Sequence, residues 1–337
     1  MSTRRRAARA LLAALLATAP LACGGDSRIP GPGASLELQL HELAPLDPAT
    51  EGTYAAWGYD AAGAPHALGT FVLPADGRVR LPLPQLELRR IAITVQPPGD
   101  AAAAPSPQEL MSGELHGGTA RLRIEGSVTA AGLPLAEHPG AHSLFTTSNN
   151  FRDGYPSAEN SGLWFFRIDP QNNPHGTREV RLTPLQRGWT YEGWIVHGWG
   201  KPDAIWISFG KFRPDQEQLL TSRDNTGSGP FSGDADFRNG GVEDVPGDEW
   251  TTNPLGLPLP PGVVLPIQLD SVDARGEAAW SMVITIEPAS DEAEPLRSEH
   301  PFVLRPYRDP IGAGPPWQPR IIQFLDNTPT AEARITG

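Results

Sequence analysis

A repeat is the feature that most limits what this chain can fold into. Residues 53–57 read TYAAW and residues 190–194 read TYEGW. Each copy continues to a G-x-F, at Gly69 and Phe71 and again at Gly210 and Phe212. Each then reaches a β-branched run closed by proline, IAITVQP at 91–97 and MVITIEP at 282–288. One such match could arise by chance, but three in the same order argue for an internal duplication. The copies keep step up to the G-x-F, and the second then gains about fifty residues between Phe212 and Met282.

The landmarks read as strands and turns. The β-branched runs suit a pleated sheet, and the proline that ends each cannot donate to a ladder. Leu36, Leu38 and Leu40 alternate along SLELQLHEL (35–43), and ARLRIEGSV (120–128) alternates in the same half-buried way. Asp76-Gly77 between two apolar runs is a hairpin signal, because both residues tolerate a positive φ. With 36 Gly and 37 Pro and no long apolar period of 3.6, short strands are favoured over helices. The expectation is an all-β chain of two tandem β-sandwich, Ig-like modules, at 35–128 and 140–330. GLPLAEHPG (132–140) joins them, and the second carries a long loop insertion at about 213–281.

The N-terminus reads MSTRRRAARALLAALLATAPLACGG, a basic stretch followed by a short Leu/Ala run. That run is too short to span a bilayer comfortably and reads as a secretory signal peptide over 1–22. It ends in PLAC at Cys23, the one cysteine of the chain, which leaves no disulfide to form. The segment resembles a bacterial lipobox, in which the cysteine is lipidated and becomes the mature N-terminus. Leu21 and Pro20 depart from the usual order there. Residues 23–34 then read as a flexible tether, and the membrane is reached through the lipidated Cys23. Gly24 lacks the aspartate that retains some lipoproteins at the inner membrane, which points to the outer one.

Loss of 1–22 removes four Arg and no acid, moving the formal charge from −12 to −16. A chain this acidic gains nothing from counterion release, so nucleic acid is excluded as a partner.

The landmark order is similar to the C-terminal extracytoplasmic domain of the anti-sigma-K factor family. Tyr54, Trp57, Gly69, Phe71, Asp76, Gly77, Thr94 and Pro97 carry the resemblance in the first copy. Tyr191, Trp194, Gly210, Phe212, Thr285 and Pro288 carry it in the second. The resemblance implies a duplicated envelope-side domain with a structural or sensory role. This sequence shows no second apolar span and no cytoplasmic helical segment, so no direct sigma-factor binding is expected.

Candidate chemistry lies mainly in the insertion. Asp224, Asp234, Asp236 and Asp244 crowd a Gly-rich stretch and offer the hard oxygen ligands that Ca²⁺ takes, without EF-hand spacing. Ca²⁺ is the only cofactor the sequence suggests. Eight of the nine Trp follow residue 160. Trp57, Trp194 and Trp280 read as core, whereas Trp199 and Trp250 read as exposed rings on which a ligand could stack. His138 and His142 are four apart, but Pro139 and Gly140 exclude a helix, so these and the scattered histidines read as surface or turn residues. No nucleophile elbow, zinc-protease motif, Walker loop or dinucleotide fingerprint occurs. The expected function is therefore that of a non-enzymatic cell-envelope lipoprotein that binds or senses an envelope protein or glycan. The second reading is a Ca²⁺-dependent or carbohydrate-binding module that uses the insertion and the exposed Trp.

Overall fold

The computed structural model describes residues 30–146, 159–169, 173–178, 180–212, 247–251, 259–289 and 301–337. Its strands confirm an all-β chain. The first half contains β1 (Ser35–His41), β2 (Thr53–Tyr59), β3 (Pro65–Phe71), β4 (Arg78–Pro82), β5 (Arg90–Gln96), β6 (Glu109–Glu114) and β7 (Thr119–Leu122). The second opens with β8 (Ala141–Leu144), β9 (Gly162–Trp164), β10 (Phe166–Asp169), β11 (Asn173–Arg178), β12 (Trp189–His197) and β13 (Ile205–Phe212). It continues with β14 (Gly247–Glu249), β15 (Trp280–Pro288), β16 (Leu304–Ile311), β17 (Arg320–Ile321), β18 (Gln323–Phe324) and β19 (Thr330–Thr336).

Two sheets enclose the first core, ordered β4-β1-β19-β7 and β3-β2-β5-β6. Two more enclose the second, ordered β14-β9-β8-β17 and β13-β12-β15-β16-β18, with a separate β10-β11 ribbon. The alternation read along 35–43 is the reason β1 faces as it does: Leu36, Leu38 and Leu40 are buried. They lie in register with Leu81 and Val79 of β4 on one side and with Ala333 and Ala331 of β19 on the other.

That last pairing departs from two modules strung end to end. β19 lies between β1 and β7, so the last strand completes the first sandwich. The Asp76-Gly77 turn also differs from expectation. Gly77 takes φ 67° and donates its N–H to Pro74 O, a tight turn as foreseen. The strands it joins pair with different neighbours, β3 with β2 and β4 with β1, so it is an arch between sheets and not a hairpin. The first sandwich needs both sheets to cover its apolar faces, and the arch supplies the change of layer.

The expected boundaries are tighter than a tether and a linker. Ala34 is buried, and its carbonyl accepts the N–H of Leu83. In the joining segment Leu135 is buried, and Ala136 donates its N–H to Tyr307 Oη at 3.1 Å. Across the junction Gln108 donates to Ala289 O at 3.0 Å and the Trp189 indole donates to Glu109 O at 3.1 Å. One continuous apolar cluster runs through both halves.

The duplication is visible atom by atom. Tyr54 Oη donates to Ala44 O at 2.8 Å, and Tyr191 Oη donates to Thr183 O at 2.8 Å. Each ring stacks on the Phe of its own G-x-F, with centroids 5.7 Å apart for Phe71 and 6.0 Å for Phe212. The Trp57 indole donates to Thr94 Oγ1 at 2.9 Å, and Trp194 does the same to Thr285 at 2.9 Å. A bulge follows Ala56 opposite Gly69 in one copy and follows Gly193 opposite Gly210 in the other. Both facing glycines hold a positive φ, 146° and 105°, which explains the glycine of the G-x-F.

Deleting residues 330–337 should unfold the first sandwich, because it strips β1 and β7 of a shared partner and opens the core under Leu38 and Leu40. The expected outcome is loss of the amide-exchange protection of β1 and β7. A deletion variant that keeps that protection would contradict the role assigned to β19.

Candidate functional site

The two copies share a frame, so the places where they differ point to function. They differ most on the outer face of the sheet β13-β12-β15-β16. In the first copy Ala55 lies between Thr70 and Thr94. At the matching place in the second, Glu192 lies between Lys211 and Thr285. Gln96 is matched by Glu287 in the same way, two residues beyond the Thr of each copy. Glu192, Lys211 and Glu287 are all buried.

The change from Gln96 to Glu287 keeps a job and adds a charge. Gln96 pins the following loop, donating to Ala104 O at 2.8 Å and accepting the N–H of Ser106 at 3.1 Å. Glu287 pins its own loop by accepting the N–H of Phe302 at 2.9 and 3.1 Å, and it also accepts the Thr285 hydroxyl. Burial pushes its pKa up, opposed by the Thr285 hydrogen bond and by the charge of Lys211. Glu192 accepts the Ser208 hydroxyl at 2.6 Å, and Ser208 in turn accepts the N–H of Gly210 at 3.1 Å. Buried ionisable groups cost stability unless they are paired, and they gather at working sites more often than elsewhere.

At the other end of the same face two hairpin tips frame a cleft. One is the turn 198–204 between β12 and β13, closed by Lys201 N–H to Gly198 O and Ala204 N–H to Lys201 O. The other is the turn 272–278, closed by Gly276 N–H to Asp273 O and Asp273 N–H to Glu277 O. Asp273 Oδ1 also accepts the N–H of Arg275 at 2.8 Å and of Glu277 at 3.1 Å. Those backbone donors, with the Arg275 and Lys201 charges behind them, hold its carboxyl below the usual range. The cleft has a volume of about 450 Å³ and is lined by His197, Trp199, Lys201, Arg275, Glu277 and Arg308, among others.

Arg308 enters from β16 and forms the floor. Its guanidinium lies over the Trp199 ring, 5.1 Å from the centroid, and its Nε donates to Ser281 Oγ at 3.2 Å. Partial burial lowers its pKa, opposed by Asp309, although a guanidinium stays charged throughout the useful pH range. Trp199 packs in turn on Trp206 at 5.5 Å, and Trp206 meets Trp194 edge-on at 5.8 Å. Arg305 lies over Trp206 at 4.8 Å. The face is thus a row of indoles, two of them with a guanidinium over the ring.

The candidates read from sequence separate here. Trp57, Trp194 and Trp280 are core, as expected. Trp199 lines the cleft, half-buried, with Arg308 over one of its faces. Trp250 is corrected: it is fully buried, with its ring against Phe209 at 6.2 Å, and presents no face to a ligand. The cause is β14, which pairs with β9 and draws part of the insertion into the sandwich. His142 is corrected too, since it is fully buried and its Nε2 lies 2.7 Å from Asp309 Oδ2. That pair ties one sheet of the second sandwich to the other. Cys23, Asp224, Asp234, Asp236 and Asp244 lie outside the described residues. Among the described residues no cluster of His, Cys, Asp and Glu could hold a metal ion, and no helix is long and apolar enough to cross a membrane.

Arg308, Lys201, Glu192, Lys211 and Glu287 were not foreseen. Aligning the two copies strand by strand would have exposed the last three, because each replaces a neutral residue of the first copy. No family model, curated protein or solved structure matches this chain.

Glu287→Gln restores the residue type of the first copy and removes a buried charge. Its stability at neutral pH should lie within about 1 kcal/mol of wild type, whereas Glu287→Ala should lose about 1–3 kcal/mol by leaving the Phe302 N–H without an acceptor. Because the folded pKa of Glu287 is raised, the folded state binds the proton first. Wild type should therefore gain on the Gln variant as pH falls from the raised value toward 4.5. Denaturant melts across that window read the sign directly.

Proposed function

We propose that this chain is a lipid-anchored binding protein of the bacterial cell envelope, whose recognition surface is the outer face of the second sandwich. The observation that carries the reading is the divergence between the copies. Around Trp57 the first copy places Ala55, Thr70, Thr94 and Gln96, with an Arg90–Glu109 ion pair beside Tyr59, while the second puts the buried Glu192, Lys211 and Glu287 and the Trp199–Arg308 cleft on the same frame. A duplicated scaffold with one elaborated face is what a display module needs, since the plain copy can hold the other at a fixed place. The signal-peptide and lipobox resemblance at Cys23 supports the anchor, and the resemblance to the anti-sigma-K extracytoplasmic domain supports placement outside the cytoplasm. In this reading the role is recognition rather than turnover, and the partner is an envelope protein or glycan.

Two measurements test it. Cys23→Ala should abolish incorporation of labelled palmitate and release the protein from membranes; a variant that stays labelled would remove the anchor from the proposal. Residues 30–337 should co-sediment saturably with isolated envelopes, and Lys201→Ala combined with Trp199→Ala should lower that binding by about tenfold. Sedimentation unchanged in the double variant would place recognition elsewhere.

A further inference from the structure

We infer that the cleft between the 198–204 and 272–278 turns binds an acidic saccharide, its carboxylate held by Arg308 and Lys201. The inference rests on the reading of this chain as a binding protein and names the ligand of that same face. The expectation from sequence was an exposed indole on which a ligand such as a sugar could stack. The structure offers something else: the Trp199 ring already carries the Arg308 guanidinium over one face. A guanidinium centred 5.1 Å from the indole and tied through Nε to Ser281 keeps both η nitrogens for a further acceptor. That is the geometry in which arginine grips a planar carboxylate with two parallel hydrogen bonds.

The remaining lining fits the rest of a sugar acid. Lys201 stands exposed at the rim, and its charge reaches Asp273 across the cleft. Glu277, 68% exposed, is loosely paired with Arg275 at 3.9 Å, so its carboxylate can accept ligand hydroxyls. His197, exposed at the end of β12, packs its ring on Trp280 at 5.1 Å and supplies a polar edge. A volume of about 450 Å³ lies within the range of small-ligand sites. The charges of the lining are Lys201, Arg275 and Arg308 against Asp273 and Glu277, an excess of one positive charge in a chain of net charge −12. The local excess favours an anion here against the net negative charge of the chain. A peptide that adds a strand fits less well, because that mode needs a free strand edge, whereas this cleft opens over a sheet face and is walled by side chains.

The test uses residues 30–337 with three probes: trigalacturonic acid, its full methyl ester and inorganic phosphate. Trp fluorescence and calorimetry follow binding. The acid should bind saturably and more weakly as salt rises, and the ester at least about tenfold more weakly. Arg308→Gln should lose at least about tenfold in affinity for the acid, and Lys201→Ala, at an exposed position, should lose less without changing the melting temperature. Arg80→Ala, on the far face of the first sandwich, should bind as wild type does. Equal affinity for acid and ester would overturn the inference in favour of neutral stacking. Phosphate competing as well as the trisaccharide would overturn it in favour of a simple anion site. No binding of the acid, with envelope co-sedimentation intact, would overturn this ligand class and leave the binding reading standing; loss of both would overturn both.

Discussion

A single hydrogen bond, made twice, sets the frame on which everything else is hung. The indole of Trp57 reaches Thr94 and that of Trp194 reaches Thr285, each at 2.9 Å, across the central pair of a sheet and on its outer face. An indole N–H buried without an acceptor would cost about 1–3 kcal/mol, so the threonine has to sit in register with it. The bulge beside each Trp and the positive-φ glycine opposite adjust the strand so that the ring can reach. The Tyr three residues earlier closes the inner face by gripping a carbonyl before a proline and stacking on a Phe. The three short landmarks are thus one three-dimensional fastening.

The Trp–Thr bond takes up only part of the outer face, and the positions around it differ between the copies. The first copy places Ala55, Thr70 and Gln96 around its Trp–Thr bond and one ion pair, Arg90 with Glu109, beside Tyr59. The second loads this face with buried charge and half-buried cation–indole pairs, at a cost in desolvation that the fold alone does not require. Arg308 shows the economy of the arrangement. It occupies the register position that Ser112 holds in the first copy, opposite Val283 as Ser112 is opposite Ala92. One substitution on a shared ladder therefore turns a small hydroxyl into the floor of a cleft.

What could be read in the sequence was local, and what could not was set by distant partners. Leu36, Leu38 and Leu40 announced their buried face because alternation is a property of the strand itself. The Tyr, Trp, Gly and Thr landmarks announced a common fold because they repeat. Asp76-Gly77 announced a turn but not that its two strands join different sheets, which depends on where β1 and β2 lie. Trp250 looked exposed because its neighbours are polar, and only the pairing of β14 with β9 buries it. His142 likewise looked like a turn residue until Asp309, far along the chain, met it. Arg308 carried no motif at all; its role comes from the indole it covers, which belongs to the turn between β12 and β13.

The position of β19 has a consequence for the life of the chain before it is folded. Ser35 and Thr336 face each other across the ladder and share a hydroxyl contact, although 301 residues separate them. In a chain exported N-terminus first, as proposed, the first strand emerges long before its mate. Until translocation ends, β1 offers β4 one side and an open ladder on the other, the kind of edge that recruits foreign strands. High contact order slows the closure still further. On that proposed route the first sandwich is the earlier half to be delivered and the later half to be finished.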